Sequence, residues 1–234
     1  MLYGYGFDYT YILVLIGVGL AMWASAGLNS TYAKYSRIAS SMNMTGADVA
    51  RKMLADNGIY DVEVRHIAGL LTDNYNSRNK TVNLSDGIYN STSVAAISVA
   101  AHECGHAVQD NVGYMPLRFR AALFPVANIG STLAWPMILL GIFLGHTGGL
   151  FIQIGIVLFM FAVLFQIVTL PVEYNASHRA LVQLRDWSML RQDEEAGARK
   201  VLNAAALTYL VAAISSILQL LRLLILFGGR RRRA

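Results

Sequence analysis

Val94-Ala95-Ala96-Ile97-Ser98-Val99-Ala100-Ala101-His102-Glu103-Cys104-Gly105-His106-Ala107-Val108 is the stretch on which the reading of this chain turns. All of its residues suit a helix, and Ser91, Thr92 and Ser93 ahead of it offer N-caps. On a helix of 3.6 residues per turn, side chains four apart stack on one face, so His102 and His106 can aim both imidazoles at one ion. Glu103 then lies beside the ion, where its carboxylate can take a proton from a zinc-bound water whose pKa the metal has lowered to about 7. That combination is suited to amide hydrolysis. The plainer reading is a pair of exposed polar histidines. With five His and five Glu in 234 residues, however, His-Glu-x-x-His is expected by chance only about 0.002 times, which favours the metal site.

Composition places this helix in a membrane protein, since 55% of the residues are hydrophobic and only 14% are charged. Four apolar segments approach the roughly 20 residues that cross a bilayer: Tyr11 to Leu28, Leu123 to Gly145, Leu150 to Leu170 and Ala204 to Phe227. The first is read as a retained anchor, because no Lys or Arg precedes it and Asp8 does, unlike a cleaved signal peptide. The fourth carries Gln219 and Arg222, so it is either a tilted span in which Arg222 snorkels or faces protein, or a partly re-entrant helix.

Two polar stretches, 29–122 and 171–203, hold almost all of the charge. In the first, Thr45-Gly46-Ala47-Asp48 forms a capping box for a helix to about Asp56, which Gly58 can end in a left-handed conformation. Val62 to Ile67 alternates like a strand, Asp73 to Ser77 is turn-rich, and Lys80 to Leu84 alternates again. The expected architecture is a mainly α integral membrane protein with about four transmembrane helices and a small α+β zincin-like catalytic domain. It divides into an anchor (1–28), a catalytic region (29–122), a transmembrane hairpin (123–170), a helix carrying the third ligand (171–203) and a C-terminal membrane helix with a basic tail (204–234).

A catalytic zinc usually takes three protein ligands and a water. A metzincin arrangement is excluded, since Gln109 and Val112 stand where it needs a glycine and a third histidine. His146 lies between the second and third apolar segments, across the membrane from the motif, whereas two crossings return Glu173 to its side. Topology therefore selects Glu173 or a residue after it. Pro171 would open a helix running to about Arg191, with Glu173 in its first turn at the membrane boundary, where a carboxylate would also suit the helix dipole.

Val99 to Asp110, Leu170-Pro171-Val172-Glu173-Tyr174-Asn175-Ala176-Ser177 and Val201 to Tyr209 together resemble the YugP family of membrane zinc metallopeptidases. So do Ser30-Thr31-Tyr32, Lys34-Tyr35-Ser36 and Leu71-Thr72-Asp73, and the likeness spans nearly the whole chain. More distantly, the layout is similar to the HtpX heat-shock proteases and CAAX prenyl proteases, which pair a His-Glu-x-x-His helix with a later Glu-x-x-x-Asp. The resemblance implies a gluzincin-like peptidase with one zinc at His102, His106 and Glu173, and Glu103 as base. Two positions depart from those patterns. Ser177 stands at the Asp of Glu-x-x-x-Asp, so any carboxylate partner of the histidines must come from elsewhere, and Asn74 stands where the family pattern has a histidine.

For a developing oxyanion the candidates are His178 and Arg179, with Tyr174 behind them; each could equally be a solvated helix residue. Lys80, Thr81, Val82, Asn83 and Leu84 are expected to form an edge strand that pairs with an extended peptide. Partners are thus a peptide or protein substrate and the lipid bilayer, with another membrane protein or a second copy of this chain left open. A nucleic acid is not called for, because the +5 net charge and the Arg230 to Arg233 tail suit anionic headgroups. Lys34, Arg37, Arg118, Arg120, Arg179, Arg185, Arg191, Arg199 and Lys200 flank the membrane ends on the motif's side, against Arg230 to Arg233 on the other. The balance favours a cytoplasmic site in a bacterial plasma membrane. Cys104 excludes an internal disulfide and reads as a packing residue. Three other classes have less support. An intramembrane protease would need a cleaner apolar motif helix, a transporter would need more polar groups in its spans, and a metal-binding scaffold would share the site without the hydrolysis.

Overall fold

The computed structural model describes residues 8–228, so the Arg230 to Arg233 tail lies outside the described residues. The chain is mostly helical, and four of its helices are long and apolar enough to cross a membrane: α1 (Tyr11–Tyr35), α5 (Met115–Phe143), α6 (Gly149–Asp186) and α7 (Gln192–Gly228). Between α1 and α5 come α2 (Gly46–Asp56), β1 (Glu63–His66), β2 (Asn74–Asn76), β3 (Thr81–Leu84), the single turn α3 (Asp86–Tyr89) and the motif helix α4 (Val94–Asn111). The described residues form two compact units, one of 8–23, 120–168 and 209–228, the other of 24–119 and 169–208.

The second unit contains the sheet and the motif helix. The α2 capping box forms as its sequence predicts: the Thr45 hydroxyl accepts from the Asp48 N–H at 3.1 Å, and the Asp48 carboxylate accepts from the Thr45 N–H at 3.0 Å. At the other end Gly58 takes φ +70°, and the N–H groups of Gly58 and Ile59 return to the carbonyls of Ala55 and Leu54. Val49, Ala50 and Met53 of α2 then pack, fully buried, with Val82 and Leu84 of β3 and with Ile97, Ala100 and Cys104 of α4.

The sheet order is β1-β3-β2, with β3 parallel to β1 and antiparallel to β2. Two expectations change here. The turn-rich patch at Asp73 to Ser77 contains a short strand, stabilised by pairing with β3 and by an Asn83 to Asn74 side-chain bond at 2.9 Å. Lys80 to Leu84 supplies the central strand rather than an edge, because its alternating Val82 and Leu84 are the apolar pair the core needs.

Pro171 does not open a helix. It lies inside the 38-residue α6, which carries Glu173 on the same rod as the apolar segment. Proline removes one N–H from the ladder there, but the helix continues to Asp186. α7 is likewise one continuous helix of 37 residues, about 55 Å long, which is long enough to cross a bilayer.

In the first unit, α5 and α6 pack through glycines: a Cβ on Gly155 would meet the Ala134 carbonyl oxygen at 2.8 Å, and one on Gly141 the Gly148 carbonyl oxygen at 2.7 Å. Arg222 faces protein. Its guanidinium reaches Asp8 at 3.0 Å and lies 4.1 Å over the Tyr11 ring, with the side chain only 11% exposed. Removing one partner of so shielded a pair strands the other charge. Asp8→Ala is therefore expected to lower the unfolding midpoint in detergent, and Asp8→Ala combined with Arg222→Leu to recover most of that loss.

Candidate active site

The motif helix is capped by Ser93, whose hydroxyl accepts from the Ala96 N–H at 3.1 Å. Two turns further along, His102 and His106 stack on one face with ring centroids 4.8 Å apart and planes 84° apart. Opposite them runs α6. Gly105 permits its approach, since a Cβ there would stand 2.5 Å from the Ala176 carbonyl oxygen.

That close crossing brings one face of α6 against His102. Glu173 and Ser177, four residues apart, bracket the ring: Nε2 lies 3.2 Å from Glu173 Oε2 and Nδ1 lies 3.1 Å from Ser177 Oγ. His106 Nε2 meets the same carboxylate oxygen at 3.5 Å, and its Nδ1 faces Gln109 Oε1 at 3.0 Å. One nitrogen of each imidazole is thus occupied by a neutral partner, while the other converges on Glu173, which is 3% exposed.

The ligand atoms of His102, His106 and Glu173 lie within 4.8 Å of one another, so these three residues could hold a metal ion. Two imidazoles and a carboxylate form a donor set that suits zinc and leaves a fourth position open. Glu103, 8% exposed, sits beside them; burial, with the nearby Glu173 and Asp73 carboxylates, pushes its carboxyl up to about 7, against the opposing pull of His102 and the Tyr75 N–H.

The sheet is tied to the motif helix one turn beyond His106. Asp110 accepts from the Tyr75 hydroxyl at 2.7 Å and from Lys80 Nζ at 2.8 Å, so β2 is clamped along α4 and the Tyr75 N–H faces Glu103. Burial works against a charged Asp110, yet the Lys80 and Tyr75 hydrogen bonds hold its carboxyl below the ordinary range.

Of the other residues singled out from sequence, His146 belongs to the Gly145–Gly148 turn of the other unit. Asn74 is spent on β2, bonding the Thr72 carbonyl and Asn83. Tyr174 is exposed. His178, also exposed, lies about 140° around α6 from Glu173 and so points away from it. Arg179 Nε is engaged by Asn175 Oδ1 at 2.8 Å. Sequence reasoning missed Gly105, Gln109 and Asn175. Gln109 was legible only as a polar residue one turn past His106 on the same face, and Gly105 only as a small residue inside the motif.

The fold and the donor set define a membrane protein with a candidate zinc centre, and the comparison of families agrees. The chain belongs to the family described as "putative neutral zinc metallopeptidase", whose model matches residues 10–228. It is similar to the "putative membrane protease YugP" of Bacillus subtilis (strain 168), with 44% identity over 212 residues covering 91% of this chain and 93% of that relative. No solved structure matches it.

Two outcomes are expected from this geometry. Gly105→Ala should lower unfolding stability by about 1–3 kcal/mol through overpacking at the α4–α6 crossing, as read by denaturant unfolding. Asp110, whose carboxyl lies below its ordinary value of 3.8, stabilises the fold fully above that pH and loses its contribution as pH falls through the lower, folded value. Asp110→Asn should therefore flatten the acid limb of a thermal-unfolding profile taken from about pH 5 to 2.

Proposed function

We propose that this chain is a zinc-dependent endopeptidase of a membrane surface, gluzincin-like in its ligands and zincin-like in the layout of its α+β part. The observation that carries the reading is the convergence of His102 Nε2 and His106 Nε2 on Glu173 Oε2, with Glu103 buried alongside on the same helix. His102, His106 and Glu173 would hold the one zinc. When bound, zinc supplies Lewis acidity, polarising a scissile carbonyl and acidifying the attacking water.

The remaining chemistry falls to side chains. Glu103 takes a proton from the attacking water and delivers it to the departing amine nitrogen, which its position beside the ligand group allows. The catalytic region comprises 29–122 and 171–203, and the bilayer segments hold it at the lipid surface. Substrate is a peptide or protein in extended form. It adds to the outer edge of β2, the terminal strand that Asp110 clamps along α4, and the central strand Lys80 to Leu84 supports β2 from behind. Arg179, already bonded to Asn175, acts on the site through that neighbour rather than on an oxyanion.

The site faces the cytoplasm of a bacterial cell. Nine cationic residues from Lys34 to Lys200 flank the membrane ends on its side, and Arg222, the cation deep in the apolar segments, is neutralised by Asp8.

Detergent-purified wild type is expected to carry about one zinc per chain, and Glu173→Gln to lose it, as measured by elemental analysis. Glu103→Gln should keep the metal while peptide hydrolysis falls by about 100- to 10,000-fold. Equal hydrolysis in wild type and Glu103→Gln would sink the mechanism. Stoichiometric zinc with no hydrolysis in either would favour a metal-binding scaffold.

A further inference from the structure

Neither ligating histidine has a carboxylate on its second nitrogen; Ser177 Oγ and Gln109 Oε1 stand in those places. The two substitutes are not equivalent. A hydroxyl both donates and accepts, and it rotates freely, so Ser177 tolerates either tautomer of His102. A primary amide has distinct ends, and whether it can turn depends on its other partners.

Gln109 cannot turn. It is 0% exposed, and its Nε2 donates to the Val172 carbonyl at 2.8 Å and to Asn175 Oδ1 at 3.0 Å. The carbonyl accepts only. Asn175 is in turn oriented by Arg179, whose Nε donates to the same Oδ1 at 2.8 Å, and a guanidinium has no acceptor to offer. Reversing either amide would set oxygen against oxygen or N–H against N–H inside a closed site. The direction of every bond is therefore dictated from Arg179 inward: Arg179 to Asn175, Gln109 to Asn175 and Val172, and His106 Nδ1–H to Gln109 Oε1.

We propose that Gln109, locked by Asn175 and Arg179, is the positioning residue of the metal site: it keeps the His106 proton on Nδ1, so that the Nε2 lone pair faces Glu173 in the geometry a metal needs. The same side chain grips the carbonyl of Val172, the residue immediately before Glu173, and so sets the spacing between the second and third ligands. The neutral chain Gln109–Asn175 does with directed amides what a carboxylate does at other histidine ligands. The inference rests on the zinc reading above and assigns Arg179 to the support of the site.

The test is zinc(II) titration of the full-length protein in detergent against a competing chelator, with helical content by circular dichroism and metal-free unfolding recorded for each variant. Gln109→Leu is expected to weaken zinc binding by about 10- to 100-fold. Ser177→Ala should weaken it less, because its hydroxyl does not impose a tautomer. Asn175→Leu should follow Gln109→Leu, whereas Asn175→Asp, which keeps an acceptor for both Gln109 Nε2 and Arg179 Nε, should bind close to wild type. In the zinc-loaded wild type, a His106 Nδ1–H proton resonance protected from solvent exchange is expected, and its loss in Gln109→Leu. If Gln109→Leu does not fold, the Asn175 pair decides. Zinc binding in Gln109→Leu equal to wild type, or an equal loss in Asn175→Asp and Asn175→Leu, overturns the positioning role while leaving the metal reading intact. Absence of zinc from wild type overturns the metal reading itself, and the positioning role with it.

Discussion

The close crossing of α4 and α6 at Gly105 is the constraint on which the site depends. Helix axes normally stand 8–10 Å apart, a separation set by the side chains between them, and a glycine at the crossing removes that spacer. Here it lets the backbone of Ala176 rest on the motif helix. Glu173 is one turn before the crossing and Ser177 one residue after it, so a single contact places both partners of His102. A methyl group at this point would displace Glu173 and Ser177 together. The glycine is therefore as much a part of the site as the histidines that flank it.

Around that crossing the polar groups are linked by hydrogen bonds that run between distant parts of the chain. Gln109 donates to Asn175, Asp110 collects the Tyr75 hydroxyl and the Lys80 ammonium, and the Asp73 carboxylate accepts from the Ser85 N–H and hydroxyl at 2.7 and 3.0 Å. Each of these bonds joins residues that are distant in the sequence. Buried polar networks that are fully satisfied rigidify a core, and those that are half satisfied weaken it. Among the described residues, Arg222 Nε is the buried side-chain polar atom left without a hydrogen-bond partner, and it belongs to the ion pair in the apolar unit. The candidate metal site is thus held by directed bonds, and burial raises the carboxyl of Glu103 beside it to about 7.

The apolar unit follows a different logic. With hydrocarbon outside, its helices gain little from burying large side chains and more from close backbone contact, which the glycines of α5 and α6 provide. The Ser215 hydroxyl donates to the Gly17 carbonyl at 3.2 Å, and Asp8 neutralises Arg222. Large exposed residues such as Trp23, Phe143 and Leu150 suit a lipid environment. A charged residue near the end of an apolar segment, which taken alone suggested an incomplete span, is accommodated by a carboxylate more than two hundred residues away.

Local physics made much of this legible in the amino-acid order. The four apolar helices follow from hydropathy and length, the α2 boundaries from Thr45, Asp48 and Gly58, and the pairing of His102 with His106 from the pitch of a helix. Membrane crossings narrowed the third position to Glu173 or a residue after it, because they constrain which residues share a side. What periodicity could not decide was pairing and direction. Lys80 to Leu84 alternates as an edge strand would, but sheet order depends on which neighbours can reach it, and Tyr75, inside a stretch rich in turn formers, became the outer strand only through β3 and Asp110. Pro171 reads as a helix start, yet the helix runs through it. Arg179 reads as a free cation beside the site, whereas it bonds Asn175 one turn earlier on α6, and only the packing of α6 on α4 ties Asn175 to Gln109. The chemical character of the centre was thus determined by the sequence alone, because ligand type and helical spacing are local properties. The orientation of its groups was decided by tertiary structure, because a hydrogen bond's direction depends on partners that the chain brings together from far apart.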